Sequence, residues 1–288
     1  MNRTLHITSG DIAGESLAKS GIPGEVFVWH DILYDGQRNP GWPQEGTLQV
    51  RARFLELVTA GGLNKSEILQ TLKDQYRKLE TAADYDRVVL WFDACLFDQS
   101  MLAHILTCLA HLEIHQAELL CVDRFPGIDP FNGLGQLTPV QLASLYDRRL
   151  PVTEEQFRFA EIVDRAFADQ DLTLLAELEN TADAPLPWIP AAVQRWLQEQ
   201  PNPNTGLGRL ESLALKAISG GCDTPAKIFA SVAAADTPPQ YWGDITLWAK
   251  INALADRQPP LVKIEGPSDR LPQWQSTHDL KEFRIFGL

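Results

Sequence analysis

The chain has 288 residues, 44% of them hydrophobic, and a formal charge of −13, which fits a folded globular protein of one large domain or two ordinary ones. That charge repels a phosphodiester backbone and disfavours general nucleic-acid binding. No apolar run reaches the ~18 residues of a membrane span, residues 1–6 lead straight into a strand pattern rather than a signal-peptide core, and the four cysteines form no C-x-x-C pair, so a cytoplasmic protein without membrane segment, disulfide framework or zinc knuckle is expected.

Residues 4–8 alternate as a strand, Ser9-Gly10-Asp11 breaks it, and residues 12–20 follow as a helix. The unpaired N–H groups of such a helix start can hold a phosphate or carboxylate. A second strand, 25–29, follows the Gly21-Ile22-Pro23-Gly24 turn. Two helices come next, near 48–60 and from Asn64, where Glu67 three residues on suggests a capping box. Residues 87–92 are apolar without alternation, as in a central parallel strand buried on both faces. A helix over 99–112 and a fourth strand, 118–122, complete an α/β pattern: a parallel sheet with helices on both faces, order 2-1-3-4.

The Gly/Pro/Asn loop 126–135 marks a boundary, so the α/β domain is placed at 1–135. Beyond it every element up to Gln200 reads as helical, with Thr138…Gln141 and Thr153…Gln156 as capping boxes, so 136–200 is an all-α connecting segment. After the stiff Gln200–Asn204 linker, three short helices and a β pair at 261–264 and 283–286 describe a winged-helix-like module, 201–288. Basic and acidic side chains number 11 and 18 in 1–135, 5 and 11 in 136–200, and 9 and 9 in 201–288. The module is therefore neutral, and its last helix lacks the clustered Lys and Arg of a groove reader.

His6-Ile7-Thr8-Ser9-Gly10-Asp11, Gly24-Glu25-Val26 leading into Trp29-His30-Asp31, Trp91-Phe92 followed by Leu96-Phe97-Asp98-Gln99, and Gly133-Leu134-Gly135-Gln136-Leu137 resemble the bacterial DUF1835 family. The resemblance is densest in the N-terminal half and continues through Gly206-Leu207-Gly208-Arg209 and Trp242-Gly243-Asp244. It supports the architecture and implies no reaction. Ser9, where the family pattern has Asn, and Asp93-Ala94, where it has an acidic or His pair, depart from it.

Each parallel strand ends near an aspartate: Asp11, Asp31, Asp93 and Asp123. In a 2-1-3-4 sheet the crevice falls between strands one and three, placing Asp11 and Asp93 face to face as candidate ligands of Mg²⁺. A small anionic, phosphate-containing ligand would meet Ser9, Gly10, Asp11, Trp29, Asp98 and Gln99, and Asp11, Asp31, His30 and Asp93 are the candidate catalytic groups. The same residues have plain structural roles: Asp11 and Asp98 as helix caps, His6 hydrogen-bonded beneath a helix, Cys95 as a buried thiol. His104, His111 and His115 lack carboxylates on their stripe and argue weakly for zinc. Trp42, in a rigid polar loop, reads as a lid. Two functions stay open: Mg²⁺-dependent phosphoester chemistry at the sheet edge, or a non-enzymatic sensor whose C-terminal module engages a protein partner rather than DNA.

Overall fold

The computed structural model describes residues 3–288. The sheet comprises β1 (Thr4–Ser9), β2 (Glu25–Trp29), β3 (Arg87–Asp93), β4 (Ala117–Val122) and β5 (Leu150–Pro151), in the order β2-β1-β3-β4-β5. The first four are parallel in register, with Ile7 beside Phe27 and Leu90, and Leu90 beside Leu119. β5 is antiparallel and only two residues long. It corrects the expectation that every element between 136 and 200 is helical: two residues, Leu150-Pro151, are too short to show strand periodicity, and their pairing with Leu119 and Glu118 is a tertiary contact.

Alternate residues of the central strands feed two cores, as strand geometry requires. Leu5, Ile7, Val88, Leu90 and Phe92 join the larger one, which runs on into the helical segment and the C-terminal module. Val89 and Trp91 face Ala13, Leu17 and Leu142 on the other side. There α1 (Asp11–Ala18) and α5 (Pro139–Leu145) cover the sheet. The larger core packs α2 (Glu45–Val58), α3 (Lys65–Glu80), α4 (Leu96–His111), α6 (Glu154–Asp169), α7 (Leu172–Glu179) and α8 (Ile189–Leu197). α4 is apolar nearly all round because it is central, with α6 and α8 beyond it. Both Thr capping boxes form. The one at Asn64 does not: Asn64 caps through Ser66 N, leaving Glu67 free to line a cleft.

The C-terminal residues form α9 (Arg209–Ser219), α10 (Pro225–Ala235) and α11 (Asp244–Asp256), with an antiparallel pair β6 (Val262–Glu265) and β7 (Arg284–Gly287). Among the bonds that fasten later segments onto the α/β part, Trp196 Nε1 donates to Tyr34 O at 2.9 Å, and Gln273 Nε2 to Val58 O at 2.8 Å. Among the described residues no helix is long and apolar enough to cross a membrane.

Candidate functional site

At the C-terminal ends of β1 and β3 lies a buried polar knot. The Ser9 hydroxyl donates to Asp98 Oδ1, and Asp98 Oδ2 accepts from Asp93 N at 2.7 Å. Asp93 accepts from Cys95 N at 2.9 Å and from Leu134 N at 3.3 Å, while Gln99 Nε2 donates to Asp93 O at 2.6 Å. Cys95, not Asp98, caps α4, its sulfur accepting from Asp98 N at 3.4 Å. Gly133, at φ 135°, lets the 133–134 turn approach: a Cβ there would sit 2.5 Å from Asp93 Oδ2. Ligand atoms of Asp93, Cys95 and Asp98 lie within 4.8 Å of one another, yet all already accept hydrogen bonds from the chain itself.

Burial pushes both carboxyls up, and the Asp93 charge raises Asp98 further, well above the usual carboxylate range. The folded pair thus retains a proton that the unfolded chain loses above about pH 4, so its stabilisation is full below that value and declines as pH rises through the folded value. Asp98→Asn needs no such proton. In urea titrations it should match or exceed the wild type at about pH 8 and lose that advantage near about pH 4; a pH-independent difference would contradict the shared proton.

The rim is built differently. Gly10 (φ 72°) is the N-cap of α1 and supplies no side-chain cap, and Asp11 is the first helical residue, which corrects its expected capping role. Asp11 is exposed and holds His30 Nε2 at 2.8 Å. This corrects the opposed Asp11–Asp93 pair: one carboxylate is turned to solvent and His30, the other has both oxygens engaged by backbone N–H groups. Asp31 is taken as well. Its buried carboxylate meets Arg51 Nη2 at 2.6 Å, and Arg51 also donates to Asp35 O and Ile32 O at 2.7 Å each. Among the described residues, Asp123 reaches only its neighbour Arg124, at 3.3 Å.

Beside this rim opens a cleft of 580 Å³. Gly10, His30 and Phe97 bound it from the sheet edge, Leu55 and Leu72 from α2 and α3, and Tyr241, Ile245 and Trp274 from the C-terminal module. The glycine-capped starts of two helices, α1 at Gly10 and α11 at Gly243, both line it, and neither has a side-chain cap. The C-terminal wall had no sequence signal beyond unplaced aromatic residues. Trp29 borders the cleft but is fully buried, edge-on to Tyr76 at 5.0 Å, rather than an open stacking platform.

Other candidates resolve into packing. His6 accepts from Trp91 Nε1 at 3.1 Å through Nδ1 and donates from Nε2 to Pro23 O at 3.2 Å, a neutral tautomer that burial favours by lowering its pKa. His104 bonds Tyr76 and Asp164, His111 stacks on Trp42 at 5.6 Å, and His115 pairs with Glu154, so the three share no metal centre. Trp42 is thereby a packed side chain on α3 and α4, not a lid. No protein-family model matches the chain, and no curated protein matches it.

Proposed function

We propose that the chain binds a small anionic ligand with a flat apolar body in the cleft at the C-terminal edge of the sheet, and that the C-terminal module senses its presence. The lining carries this reading: apolar walls from two parts of the chain, with the uncapped start of α1 among them. Such walls suit a hydrophobic body, and the start of α1, where Gly10 brings no capping side chain, suits a phosphate or carboxylate, whereas at α11 Ile245 N already donates to Asp244 Oδ1 at 2.8 Å. Of the candidate aspartates, Asp11 alone presents an exposed carboxylate beside the cleft to a Mg²⁺-bound phosphate, and His30, oriented by it, is the general base for phosphoester hydrolysis.

We read α9–α11 with β6–β7 as a winged-helix-like module and the whole chain as DUF1835-like. A protein partner fits this module better than DNA. α11 buries Leu247, Trp248 and Ile251, contributes its start to the cleft, and has Asp256 paired with Arg270 at 2.6 Å, which leaves no basic helix face for a groove.

Calorimetry with 1-naphthyl phosphate, with and without Mg²⁺, tests the binding, and release of fluorescent 1-naphthol separates a phosphoester enzyme from a sensor. Thr71→Trp, from an exposed position of α3 that lines the cleft, should cut affinity by roughly tenfold or more by filling it, about 1.4 kcal/mol. No binding by the wild type, or unchanged binding by Thr71→Trp, refutes the site.

A further inference from the structure

The two edges of the sheet are treated differently. At β2, Gln75 of α3 donates to His30 O at 3.1 Å and accepts from His30 N at 2.6 Å, standing in for a strand partner, while Lys78 and Tyr85 hold Glu25. Gln75 thus occupies the C-terminal end of that edge. At β4, β5 pairs only with Glu118 and Leu119, and Val152 N adds one bond to Ala117 O at 2.9 Å. The preceding residues, Tyr146–Arg148, form a 3-10 turn and leave the edge. Among the described residues, Leu120 to Val122 therefore have no strand partner on their outer side.

A second cleft, of 520 Å³, lies on that open stretch, lined by Cys121, Val122, Arg124, Arg148, Leu150 and Trp188 among others. Its charge is unusual for so acidic a chain. Arg148 is exposed, and among the described residues no carboxylate pairs with it; Arg124 reaches only the adjacent Asp123 and is 86% exposed. Leu150, 70% exposed, and Trp188 supply apolar surface beside the free backbone.

The geometry points to strand addition: an extended segment of a partner protein, alternating apolar and acidic side chains, pairs with the β4 edge at Cys121 and sets a carboxylate against Arg148. Main-chain hydrogen bonds give such a segment its affinity, and the alternate side chains give its specificity. Arg148 selects acid over base, because a lysine-bearing strand would bring like charges together, while Arg124 is already met by Asp123 on the same lining. Pro151 has no N–H to offer on β5, so the occupant extends the sheet beyond β5 along β4 rather than outside β5.

The test uses a fluorescein-labelled nonapeptide of alternating valine and glutamate, its valine–lysine counterpart, and a version of the first with proline at the centre. Fluorescence anisotropy with the full chain should show binding of the glutamate peptide only. Arg148→Glu, at an exposed unpaired side chain and so without effect on the circular dichroism spectrum, should weaken that peptide by roughly tenfold or more and admit the lysine peptide instead. No binding of the glutamate peptide to the wild type, indifference to Arg148→Glu, or tolerance of the central proline would each overturn the proposal. So would self-association of the chain abolished by Arg148→Glu, which would give the edge to a second copy.

Discussion

Asp31→Ala should cost about 3–5 kcal/mol of stability, far more than loss of any other strand-end aspartate at the cleft rim. Asp31 and Arg51 are each 2% exposed in their side chains, with contacts at 2.6 and 3.3 Å. Removing the acid leaves a buried guanidinium whose remaining partners are the carbonyls of Ile32 and Asp35. Those carbonyls cannot replace a counter-charge in a low-dielectric setting. Gly36, at φ 73°, lies against Arg51 and Phe54, so movement of Arg51 would disturb the 31–36 loop that borders the cleft. Asp11→Ala is the contrast. Its carboxylate is 78% exposed in the pair with His30, and exposed pairs contribute about 0–1 kcal/mol. Asp31→Asn combined with Arg51→Met, which removes both charges, should recover part of the loss, a coupling read from a double-mutant cycle in urea. A loss below about 1 kcal/mol for Asp31→Ala would mean that Arg51 is solvated or re-paired.

The contrast between Asp11 and Asp31 also shows what a sequence can carry. The central strand β3 was legible because the unbroken apolar run Val88–Phe92 fits a strand buried on both faces. The helix boundaries were legible through caps such as Thr138 and Thr153. β5 was not, since two residues hold no period and their pairing is with a strand distant in the chain. The strand ends drew attention to Asp11, Asp31 and Asp93, yet their fates depend on distant partners: Arg51 for Asp31, and Ser9 for Asp98 across 89 residues of chain. Trp42 went astray for the same reason, since its polar loop concealed the packing of its ring on His111 and Tyr76. Local pattern locates a turn; tertiary pairing decides whether its aspartate faces solvent or a guanidinium.

Asp164 is expected to set the acid limit of the fold. It is fully buried on α6 and gathers Arg38 Nη1 at 2.7 Å, an ion pair without an aligned hydrogen bond, His104 Nδ1 at 3.0 Å and Gly41 N at 2.6 Å. Burial alone would raise its pKa; His104 and Arg38 beside it, with the bond from Gly41, outweigh that and hold the carboxyl well below the usual carboxylate range. A depressed folded pKa means that the unfolded chain binds the proton first. The stabilisation is therefore complete above the unfolded pKa of about 4 and is lost as pH falls through the folded value. His6, lowered by burial, acts in a separate window, weakening the fold as pH falls below about 6.5, where the unfolded imidazole begins to charge. Asp164→Asn keeps the shape but strips Arg38 of its counter-charge and should cost about 3–5 kcal/mol at neutral pH. Its stability should also fall less steeply than the wild type's below about pH 4, because the titrating group is gone. Urea midpoints between about pH 3 and 7 measure both effects. Equal slopes below about pH 4 in the two proteins would show that Asp164 does not control acid unfolding, and a neutral-pH loss under about 1 kcal/mol would show that Arg38 needs no partner on α6.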